Sequence, residues 1–131
     1  MFRVPTYLHE SSIHGVGVFT PLPISKGTTI WEFTPRVDWE LTPDELERFP
    51  QPYRSRLHSF CYLDDRGIYV LCGDNARFMN HSAKPNCDDS GEVTVTNRDI
   101  EDGEELTCDY RSFDVVAREE GLEAMLGAGV D

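Results

Sequence analysis

Glycine and proline cut this chain into short pieces. Ten glycines and eight prolines are spread along 131 residues, so turns recur too often for long helices. From Tyr7 to Phe33 the chain reads as short strands and turns, with a turn at Ile24 to Gly27 and a β-branched and aromatic strand over Thr28 to Phe33. Thr42-Pro43-Asp44-Glu45 is a helix start: a hydroxyl at the N-cap, Pro at the first position, Glu at the third. Pro50 and Pro52 end or interrupt that helix, and a second short one is expected around Tyr53 to His58. Phe60 to Leu63 and Ile68 to Cys72 read as strands about an Asp64 to Gly67 turn, and Glu92 to Thr96 alternates as a half-buried strand does. Leu106 to Tyr110 reads as a strand after a tight turn at Asp102-Gly103. Asp114 is a candidate N-cap for a helical tail carrying Val115, Val116, Leu122, Met125 and Leu126. The expected class is mostly β with one or two short helices. The length suits one domain.

The formal net charge is -12. That argues against direct nucleic-acid binding, which needs clustered Lys and Arg. It suits a basic protein or peptide partner, although the same charge also serves plain solubility. The four cysteines, Cys61, Cys72, Cys87 and Cys108, form no Cys-x-x-Cys pair, so a zinc knuckle is not expected. No secretory leader or membrane-length apolar run stands in the sequence. A soluble, intracellular protein with free thiols is the expectation.

Three segments carry chemistry. His14-Gly15-Val16-Gly17 places glycines where backbone can approach a ligand closely, though an isolated Gly-x-Gly is more often a turn. Asp74 to Cys87 gathers Arg77, Asn80, His81 and Ser82 beside Phe78 and Met79 without any helical or strand period. Those groups suit a ligand with an amino acid end and a purine end, and equally suit a surface loop of Asn turns. Gly103 to Tyr110 ends in a tyrosine that, alone, reads as a core aromatic with a bonded hydroxyl.

Taken in order, these segments resemble the SET-domain lysine methyltransferases. That family has a Gly-x-Gly segment, an Ile-x-x-Gly turn, a loop reading Arg-Phe-x-Asn-His-Ser-x-x-Pro-Asn, and a final Gly-Glu-Glu-Leu-x-x-Asp-Tyr. Here these are Gly15 to Gly17, Ile24 to Gly27, Arg77 to Asn86 and Gly103 to Tyr110. The resemblance implies small antiparallel sheets with a C-terminal pseudoknot, a SET domain over residues 1–113, and a helical tail over 114–131 in place of a post-SET segment.

It also implies S-adenosylmethionine as methyl donor, leaving S-adenosylhomocysteine. Backbone around His14, Val16 and Gly17 would contact it. Asn80 would take its amino acid part and the His81 backbone its adenine, with Arg77, Phe78 and Phe113 completing the cofactor site. Tyr110 would be the catalytic residue at the reacting methyl. The lysine channel would hold Cys108 and one of Phe60, Tyr62 or Tyr69.

The chain departs from the family in two ways. Ala83 stands where zinc-closed members have Cys, and no Cys follows Tyr110, so no metal is expected. Cys108 stands where many members carry Phe or Tyr, leaving room for more than one added methyl. Two other readings share these motifs: a cofactor-binding interaction module without turnover, and a methyltransferase of a small non-protein amine. The apolar tail, packed on its own domain or a second copy, raises the expectation of a homodimer.

Overall fold

The computed structural model describes residues 1–121. Ten short strands form three small sheets. The first contains β1 (Tyr7–Glu10), β2 (Val16–Phe19), β10 (Glu105–Cys108) and β7 (Asn80–His81), in that order. β10 runs antiparallel to β2 and parallel to β7. The last strand of the chain is thus inserted between an N-terminal strand and the Asn-His segment, which is where a threaded C-terminal segment has to lie.

The second sheet orders β3 (Thr29–Glu32), β9 (Val93–Thr96) and β8 (Cys87–Asp88). The third orders β4 (Trp39–Leu41), β6 (Tyr69–Leu71) and β5 (Tyr62–Leu63). Val18, Ile24, Ile30, Met79, Cys87, Ile100, Leu106 and Cys108 make one buried core behind the first two sheets. All four cysteines are buried free thiols.

The helix start at Thr42 is realised in full. Thr42 Oγ1 accepts from the Glu45 N–H at 3.2 Å, and Glu45 Oε1 accepts from the Thr42 N–H at 3.0 Å. Such a cap contributes about 1 kcal/mol. Helix α1 (Pro43–Glu47) stops before Pro50, and α2 (Tyr53–Phe60) begins directly after Pro52. Phe60 therefore closes a helix and does not open a strand as expected. Tyr110 is likewise off the strand. The Asp109 side chain accepts the Arg111 N–H at 3.0 Å, and this local bond turns the chain into a 3-10 turn over Tyr110–Ser112. Asp114 caps α3 (Val115–Glu119), accepting from Val116 N–H at 2.9 Å. The homodimer expectation rests on Val116, which lies in α3, and on Leu122, Met125 and Leu126, which lie outside the described residues.

The third sheet is fastened at Gly73. Its N–H donates to the buried carboxylate of Asp38 at 3.1 Å, and the same carboxylate accepts from Thr34 N–H at 2.9 Å. A Cβ at Gly73 would stand 1.6 Å from the Val37 carbonyl oxygen. Only backbone movement relieves that contact. Gly73→Ala is expected to lower stability by about 2 kcal/mol or more, the cost of overpacking. Gly91→Ala, with nothing within 4 Å of the new atom, is expected to stay within about 0.5 kcal/mol. Urea unfolding of both variants checks the contrast.

Candidate active site

The Gly-x-Gly segment and the Asn-His strand meet at the Asn80 side chain. Its amide donates toward His14 O at 3.0 Å, Val16 O at 3.3 Å and Glu105 Oε2 at 2.9 Å. The other oxygen of Glu105 accepts from Ser11 Oγ at 2.7 Å. A Cβ on Gly17 would stand too close to the Glu105 carboxylate, so a larger residue there would push that side chain from its place beside Asn80. Glu105 is a hub that residue-by-residue reading missed. The only signal was the second Glu of Gly103-Glu104-Glu105, and the strand register decides that its side chain faces Gly17.

Asn86 is a second such residue. Its side chain donates to Glu105 O at 2.8 Å and accepts from Thr107 N–H at 2.9 Å, mimicking a strand edge against β10. It holds β10 in register beside β7, and so places Tyr110.

The oxygens of His14 and Val16 converge on one point, and each carbonyl keeps a second lone pair. An acceptor-rich corner of this kind fits the ammonium of an amino acid. It is the observation that agrees with S-adenosylmethionine at these residues.

Tyr110 sits beside the Asn-His strand and lines a cavity of about 700 Å³. Its N–H donates to His81 Nδ1 at 3.1 Å, and its hydroxyl donates to Met79 O at 2.6 Å. The imidazole nitrogen accepts, so His81 is neutral, and its pKa is lowered by burial. Its 3.7 Å approach to Asp109 is then no ion pair. Burial raises the Tyr110 phenol well above its usual range, so the hydroxyl keeps its proton. With that proton committed to Met79, the oxygen lone pairs remain to accept.

The cavity is lined by Tyr62, Cys108, Tyr110, Phe113, Phe60 and Arg77, among others. Tyr62 and Phe113 rings meet at 4.9 Å, and Phe113 and Tyr110 at 5.9 Å. Phe113 and Arg77 both line this cavity. The Arg77 guanidinium lies 5.2 Å over the Phe60 ring, and Arg77 Nε donates to Cys72 O at 3.1 Å. Phe78 packs against Phe60 and the core. Tyr69 does not line the cavity; its ring meets His58 at 5.4 Å.

Acidic side chains dominate the lining. Glu32, Glu40, Asp64, Asp65 and Glu92 face it with Asp89, against Arg66 and Arg77. Arg66 is already paired with Glu40 at 2.6 Å and Asp64 at 2.7 Å. Among the described residues, no group of three His, Cys, Asp or Glu side chains is placed to hold a metal ion, and no helix is long and apolar enough to cross a membrane.

Inserted last strand, Asn-His corner and terminal tyrosine together define a SET domain. The model of the SET domain matches residues 15–111, and the chain belongs to that family. It is 39% identical over 108 residues to histone-lysine N-methyltransferase ash1 of Drosophila melanogaster, covering 73% of this chain and 5% of that protein. It is 32% identical over 117 residues to histone-lysine N-methyltransferase 2B of Homo sapiens, covering 79% and 4%. The chain therefore spans about a twentieth of the length of these relatives. In fold it resembles a candidate histone methyltransferase of Plasmodium falciparum, with a TM-score of 0.60, 19% identity, and 82% and 94% of the two chains covered. It also resembles a chain of a humanized mutant of the Chaetomium thermophilum Polycomb Repressive Complex 2, with a TM-score of 0.63, 24% identity, and 88% and 16% covered.

Proposed function

We propose that this domain transfers a methyl group from S-adenosylmethionine to the side-chain amine of a lysine in a basic protein. One observation carries the reading: Tyr110 bonds the residues on either side of Asn80, Met79 and His81, and lines an aromatic cavity with acidic groups. His14, Val16 and Asn80 hold the donor's amino acid end, and its sulfonium supplies an electrophilic methyl carbon. Tyr62 and Phe113 wall the lysine stem and exclude water, and Tyr62 is the channel aromatic rather than Tyr69. An apolar wall lowers the pKa of the amine it encloses, which populates the neutral nucleophile. The Tyr110 oxygen accepts an N–H of that amine and so aims its lone pair. Alignment of this kind is worth about 7–11 kcal/mol in favourable cases.

The acidic lining selects a basic segment around the lysine. The test is incubation with methyl-labelled S-adenosylmethionine and a mixture of histones, followed by mass analysis of the proteins. Label on lysine is expected. Binding of the methylated histones should loosen as salt rises, since screening acts beyond about 8 Å at physiological ionic strength. No label on any histone from a chain that binds S-adenosylhomocysteine would overturn the assignment.

A further inference from the structure

The cavity holds a carboxylate that the family resemblance does not explain. Asp89 follows β8 and faces the cavity beside Cys108. Thr94 Oγ1 donates to Asp89 Oδ1, and Cys108 lines the same cavity. This neutral donor holds it in place and does not cancel its charge. Among the described residues Asp89 makes no ion pair, while the arginines of the same cavity are engaged elsewhere. Asp89 is half-buried, and a carboxylate partly withdrawn from water costs free energy unless a cation meets it. Burial accordingly raises its pKa. The groups around it add no positive charge: Asp88 precedes it, Thr94 and Cys108 face it, and Tyr62, Cys72 and Cys87 feel its field.

We infer that Asp89 is the anionic end of the lysine channel: it receives the substrate's ε-ammonium and takes the proton that must leave before transfer. The inference rests on the cavity being the lysine channel. An ammonium entering between Tyr62 and Phe113 finds Asp89 as its counter-ion. One N–H bond then breaks as an O–H bond forms on the carboxylate, and the ion pair becomes a neutral acid and a neutral amine. In a poorly solvated channel the neutral pair is favoured over its value in water, because both charges vanish together. Cys108 lines the same cavity with 1% exposure.

The probe is n-butylamine, which copies the end of a lysine side chain, with n-butanol as the uncharged control. Both are titrated by NMR into the full chain saturated with S-adenosylhomocysteine. Wild type should bind the ammonium at least tenfold more tightly than the alcohol, and D89N should lose that preference. Methyl transfer to histones should fall at least tenfold at pH 7 in D89N and recover as pH rises, since solvent then removes the proton. A D89N variant that keeps the ammonium preference, or whose rate profile superimposes on wild type, overturns the inference. Should D89N not fold, the carboxyl carbon signal of wild-type Asp89 decides: it must shift with butylammonium and not with butanol. If the wild type transfers no methyl at all, the proposed function fails while the binding arm still reads Asp89.

Discussion

Asn80→Ala is expected to abolish detectable binding of S-adenosylmethionine and S-adenosylhomocysteine. The side chain is 7% exposed and is the one group that ties together His14, Val16 and Glu105. Removing it deletes a hydrogen-bonding group facing a charged ligand and frees the Gly-x-Gly backbone that shapes the corner. Hydrogen bonds to charged groups are worth about 1.5–3 kcal/mol each. Loss of two weakens binding by about a hundredfold or more. The variant is also expected to lose about 1–3 kcal/mol of stability, because Glu105 keeps only Ser11 as a side-chain partner. Calorimetry on a variant shown to be folded by circular dichroism separates the two effects. Unchanged affinity would remove Asn80 from the cofactor site.

Tyr110→Phe is expected to lower kcat about a hundredfold and leave S-adenosylhomocysteine affinity within about twofold. The phenylalanine ring keeps the contacts with His81 at 5.3 Å and Phe113 at 5.9 Å. The backbone N–H still reaches His81 Nδ1. What disappears is the oxygen proposed to aim the amine, and loss of one preorganised hydrogen-bonding group at a reacting centre costs about 10²–10³ in rate. Met79 O also loses its donor, a structural penalty of about 1 kcal/mol. Single-turnover methyl transfer measured with saturating cofactor tests this. A rate within threefold of wild type would show that the hydroxyl only serves Met79.

The local devices of this chain were readable from its residues. Thr42, Pro43 and Glu45 specify a helix start through bonds confined to four consecutive residues. Asp114 specifies another. The motif order from Gly15 to Tyr110 was sufficient to place the family, because each segment is contiguous. Local chemistry also explains the misreadings. The turn at Asp102-Gly103 predicts a strand through Tyr110, but it ends at Cys108, where the Asp109 side chain turns the chain.

Everything that makes the site depends on contacts between distant segments. Tyr62 and Tyr69 look alike in sequence; strand register and packing turn one into the cavity and the other toward His58. Arg77 stands beside the Asn-His motif, yet it lies over Phe60 on the cavity side. Glu105 and Asn86 acquire their meaning only when β10 lies between β2 and β7. Asp89 reads as one more acid in a chain of net charge -12. Only the folded structure sets it beside Thr94 in the cavity, with no ion pair among the described residues. Caps and turns are bonds among neighbours, so the sequence determines them directly. A channel is built from side chains that closing the sheets brings together, and its charge balance exists only after that closure.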